Sequence, residues 1–78
     1  MNYEQHIIRD PRVCGGEPVI KGTRVTVRTI LASLVEGTTV KEILTDFPTL
    51  KERDVRAVIA FAATSAKEDL PIPTPQVA

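Results

Sequence analysis

The sequence predicts a mainly α-helical fold, three helices preceded by short N-terminal β-strands. Two observations carry this reading: apolar residues recur at helical spacing across residues 26–67, and capping signals punctuate each run. A third narrows it, because no apolar stretch before residue 26 is long enough to make an independent sheet.

The elements follow in chain order. His6-Ile7-Ile8-Arg9 reads as a short strand stopped by Asp10-Pro11. Val13-Cys14 and Val19-Ile20 flank Gly15-Gly16-Glu17-Pro18, which predicts two extended pieces joined by a turn. Lys21-Gly22-Thr23 forms a further turn, with Gly22 free to take positive φ. Strands this short need something to pair with, and the same segment of a second subunit is one candidate.

Val27, Ile30, Leu31, Leu34 and Val35 then fall on one face of a helix that Thr26 caps and Gly37 stops. Thr39-Val40-Lys41-Glu42 fits a capping box that opens a second helix. Val40, Ile43, Leu44 and Phe47 supply its apolar face, and Pro48 ends it. The third helix is expected from about Lys51 to about Lys67, with Val55, Val58, Ile59, Ala62 and Ala66 inward. Arg53, Arg56, Ala60, Ala63, Thr64 and Lys67 fall opposite, and Phe61 projects sideways. Its start is ambiguous: Thr49-Leu50-Lys51-Glu52 also fits a capping box, but a start one or two residues later is equally compatible. Residues 1–67 are thus expected to form one domain with its β segment at 1–25, and residues 68–78 a flexible, proline-rich tail.

Composition limits the function. Ten Lys and Arg balance ten Asp and Glu, which argues against a protein that coats nucleic acid non-specifically. The stretch from Arg9 to Arg28 is locally basic, with Arg9, Arg12, Lys21, Arg24 and Arg28 against Asp10 and Glu17. The lone Cys14 and lone His6 support neither a disulfide nor a Cys/His metal framework, and no cofactor or metal is expected. Neither residue has a companion at nucleophile–base spacing, so the chain is read as non-enzymatic. No apolar run spans a bilayer and the N-terminus lacks a signal-peptide pattern, which predicts a cytoplasmic protein without membrane contact. A chain this short buries little surface, so a homodimer or another bound partner is expected to complete its stability.

Helices two and three are separated by about four residues, Pro48 to Lys51, with helix one in front: the order of a trihelical helix-turn-helix. In such a unit the last helix enters the major groove. Arg53 and Arg56 provide guanidinium groups early in that helix, Ala60 permits close approach, and Arg28 and Lys41 lie near helix starts where phosphates are reached. The same pattern also suits the solvated face of any three-helix domain, and Glu52 and Asp54 oppose phosphate. Phe61 is either a partner contact or a residue covered by the N-terminal strands.

The run from Asp10 to Val27, with Gly15-Gly16-Glu17-Pro18-Val19-Ile20-Lys21-Gly22-Thr23-Arg24 at its centre, resembles the signature of the domain of unknown function 433 family. Later blocks agree: Ile30-Leu31 with Leu34 and Gly37, Glu42-Ile43-Leu44 with Phe47-Pro48, then Leu50, Asp54-Val55, Ala57 and Phe61-Ala62-Ala63. One departure is Lys51, where the family often has a Thr or Ser cap. The resemblance implies a homeodomain-like helix-turn-helix fold, dimerisation, and a role like that of antitoxins of the VapB kind. Such a protein silences a PIN-like nuclease toxin and represses its own operon. It implies a partner or dimer surface including Ile7, Ile8, Val19 and Phe61, and a tail whose Leu70 and Ile72 dock on the toxin. A stand-alone DNA-binding regulator and a protein-interaction module without DNA binding are the competing expectations.

Overall fold

The computed structural model describes residues 2–68. A 3-10 turn at Tyr3–Gln5 leads into strand β1 (Ile7–Ile8), and a second 3-10 turn at Cys14–Gly16 leads into strand β2 (Val19–Ile20). Three helices follow: α1 (Val27–Val35), α2 (Val40–Asp46) and α3 (Glu52–Glu68).

The strands solve their pairing problem within the chain. β1 and β2 run antiparallel, with Ile7 opposite Ile20 and Ile8 opposite Val19. The Lys21 N–H extends the ladder by donating to the His6 carbonyl at 2.7 Å. The pairing is therefore with the distant β1, not across Gly15-Gly16 as the turn signals suggested. Val13-Cys14 is correspondingly not a strand. Cys14 takes φ 49°, opening the compact turn that carries the chain back toward the sheet.

The Lys21–Arg24 turn acquires a structural role from its own side chains. Gly22 sits at φ 81°, a conformation costly for any residue with a Cβ. Next to it, the Thr23 hydroxyl donates to the Ile20 carbonyl at 2.7 Å and accepts the Val25 N–H at 3.0 Å. The turn so fixed lets Val19 bridge Thr26 and delivers the chain directly into α1.

The helix caps follow the expected chemistry in α1 and α2. Thr26 Oγ1 accepts the Thr29 N–H at 3.1 Å, and Gly37 at φ 89° closes the far end. In α2 the capping box is complete: Glu42 N–H donates to Thr39 Oγ1, and Thr39 N–H donates to Glu42 Oε1 at 3.1 Å. That box holds the Glu42 carboxyl below its ordinary value, chiefly through the Thr39 backbone N–H and then its hydroxyl.

α3 begins at Glu52, without a side-chain cap from Thr49. Instead the Asp54 carboxylate reaches back to accept the Lys51 N–H at 2.9 Å. This is half of a capping box, supplied by the acid alone, and it explains how Lys51 is tolerated there.

The three helices pack on one another and on the sheet. The core comprises Ile7, Ile20, Val27, Ile30, Ile43, Leu50, Val55, Ala57 and Val58. Each fully buried Ile or Val contributes about 1.5–3 kcal/mol relative to an exposed one. The inward face of α3 differs from the expected one. Ile59 is 46 % exposed and Ala66 is exposed, while Ala57 is buried and Phe61 packs against the core. At ~100° per residue this rotates the buried stripe by roughly 80° toward Phe61. The cause is the N-terminal turn, whose Tyr3 ring meets Phe61 edge-on at 5.4 Å between centroids.

Candidate nucleic-acid interface

A five-residue connection, Phe47–Lys51, joins α2 to α3. It starts from the tight end of α2, where the Phe47 N–H donates to the Ile43 carbonyl, and Leu50 is buried as its anchor. With α1 packed across both, the arrangement is the trihelical helix-turn-helix that the spacing predicted.

The exposed side of α3 is polar at its start and small-chained beyond. Arg53 and Arg56 are both exposed, and with Glu52 they line an open concavity of about 300 Å³. Ala60 is half-buried and Ala63 exposed one and two turns further on. Arg56 Nη2 meets Glu52 Oε1 at 3.1 Å, an i,i+4 pair with both side chains mostly in solvent. Such pairs contribute only ~0.3–0.5 kcal/mol, too little to hold Arg56 against a phosphate or base edge. Among the described residues Arg53 makes no ion pair.

The remaining cations lie elsewhere. Lys41 is exposed in the first turn of α2, beside the capping box. Arg28, in the first turn of α1, holds Glu17 at 3.1 Å and so belongs to the wall of a different concavity. That second feature is an open apolar groove of about 390 Å³, lined by Pro18, Val27, Leu31, Ala32, Val35 and Phe61, with Glu17 and Arg28 at its rim. The two features divide the expected site residues between them.

The expected partner surface is only partly exposed. Ile7 and Val19 are 8 % and 1 % exposed and spend their apolar area in the intrachain sheet and core, not on a partner-facing surface. Ile8 is half-buried. Phe61 combines both readings: the N-terminal turn covers its ring through Tyr3, and it also lines the apolar groove. Leu70 and Ile72 lie outside the described residues.

Two residues that the pattern did not single out join distant parts of the chain. His6 Nδ1 lies 3.4 Å from Asp54 Oδ1, tying β1 to the start of α3. Cys14 Sγ donates to the Arg24 carbonyl at 3.4 Å, fastening one turn to the other. The Lys51-x-x-Asp54 spacing was a readable sign of the first, as an acid at the third helical position. Among the described residues there is no group of His, Cys, Asp and Glu able to hold a metal ion, and no helix long and apolar enough to cross a membrane.

Comparison with known proteins places this geometry among relatives. The family described as "Protein of unknown function (DUF433)" matches residues 7–62. The crystal structure of a DUF433 member from Anabaena variabilis is similar at TM-score 0.75 and 32 % identity, over 86 % of this chain and 70 % of that one. The uncharacterised protein y4eO of Sinorhizobium fredii is 34 % identical over 56 residues, 72 % of this chain. The chain spans only 25 % of that relative's length.

Proposed function

The chain belongs to the DUF433 family, and from that premise we propose that it is a non-enzymatic, cytoplasmic helix-turn-helix protein of the antitoxin kind, which binds operator DNA through α3. The observation that supports this best is the stripe of exposed Arg53 and Arg56 followed by Ala60 and Ala63, on a helix braced by α2 across a short connection. A major groove accepts a helix whose first turns carry bidentate donors and whose later turns are small. Lys41, at the start of α2, suits a phosphate contact that sets the register. As an antitoxin the protein would act as a dimer on two half-sites and neutralise a PIN-like nuclease toxin.

An electrophoretic shift with DNA from upstream of the protein's own gene tests the DNA reading. Arg53→Ala is expected to cost about 1–3 kcal/mol of specific affinity, and Lys41→Ala to weaken specific and non-specific sites alike. Wild-type protein that shows no sequence-specific binding at moderate salt overturns it. The competing reading, an interaction module without DNA binding, draws on the zero net charge and on Glu52 beside Arg56. Retained toxin capture without any operator binding would favour that module.

A further inference from the structure

We propose that residues 69–78 fold back onto their own chain and occupy the apolar groove between α1 and α3, with Leu70 and Ile72 covering Val35 and Leu31. The groove needs an occupant: Val27, Leu31 and Val35 form an i, i+4, i+8 stripe along α1, and Val35 is 87 % exposed. Phe61 and Pro18 complete an aromatic- and proline-lined surface of the type on which proline-rich segments dock.

The length of chain beyond α3 fits. Glu68 follows Phe61 by seven residues, ~10 Å along the helix axis, and the α1 stripe is ~12 Å long. Ten residues in extended, proline-rich conformation reach ~31 Å, enough to turn back and cover the stripe without disturbing the fold. The sequence supplies matching chemistry. In Leu70-Pro71-Ile72-Pro73-Thr74-Pro75 the apolar residues alternate with prolines, which lower the entropic cost of ordering the segment. Asp69 brings a carboxylate toward Arg28, whose side chain is 79 % exposed at the groove rim. Being tethered, the tail meets the groove at an effective concentration in the mM range, which a free partner or a second copy must outcompete. The inference does not depend on DNA binding by α3.

Paramagnetic relaxation in the full chain tests it. A nitroxide is placed at position 74 by Thr74→Cys with Cys14→Ser, and amide peaks of α1 are read, because the last turn of α3 lies near the label in any arrangement. Strong loss of intensity at Leu31, Ala32 and Val35, unchanged on dilution and relieved by Leu70→Ser with Ile72→Ser, is the expected result. Intact α1 peaks overturn the proposal. So does broadening that appears only when labelled protein is mixed with unlabelled, isotope-enriched protein, since a second copy is then the occupant. In the Cys14 background, Leu70→Ser with Ile72→Ser is expected to shift the same α1 amides; unchanged shifts also overturn it.

Discussion

Glu52 lies one helical turn before Arg56 and holds its guanidinium at 3.1 Å, on the face where α3 would meet phosphates. The carboxylate acts against DNA twice, by repelling the backbone and by occupying a donor. Glu52→Gln is therefore expected to tighten operator binding roughly two- to fivefold at low salt, with the gain shrinking as salt screens it. Titration at two ionic strengths checks this, and weaker binding would place Glu52 in base recognition instead. At this scale the exposed arginines were legible, because charged side chains stay in solvent whatever the tertiary packing. The apolar positions of α3 were less so. Ile59 looked like core by type, yet its angular position faces solvent once Ala57 and Phe61 turn inward. That rotation is set by Tyr3, nearly sixty residues upstream, which no local period reveals.

Single elements owe much to their first turns. The short α2 has Ile43 as its one fully buried residue, so its closed capping box carries a large share of its order. Thr39→Ala is expected to cost about 1 kcal/mol in a denaturation experiment, by orphaning the Glu42 N–H. The Glu42 carboxyl, lowered by the same box, adds a pH dependence of definite sign. Its contribution is fully present above the ordinary glutamate value of 4.5 and fades as pH falls through the lower folded value. Glu42→Gln should flatten the acid limb of the stability curve and leave its shape near neutrality unchanged. Both helix starts were legible because a cap is written within four residues. The strand pairing was not, since β1 and β2 are chosen by burial of Ile7 and Ile20 across an intervening turn whose glycines favoured a nearer partner. The start of α3 fell between, its capping acid visible but two residues beyond the Thr49 box.

For the molecule as a whole, helix order and connection lengths sufficed to define the three-helix unit, because short connections leave few ways to bury three apolar stripes. What local pattern left open was how the N-terminal segment closes over that unit. The Asp54 carboxylate is the joint: one oxygen accepts the Lys51 N–H at 2.9 Å and the other faces His6 Nδ1 at 3.4 Å. The consequence is one of cooperativity. Peeling β1 away removes a neighbour from the group that starts α3, and unwinding that first turn releases β1 in return. Sheet and helix start should then open as a single unit. Under native conditions the Lys21 amide, bonded to the His6 carbonyl, and the Lys51 amide, bonded to Asp54, are expected to exchange with deuterium at a common opening free energy. In Asp54→Asn both should become less protected together, whereas loss of protection at Lys51 alone would mean that the two ends of the chain breathe separately.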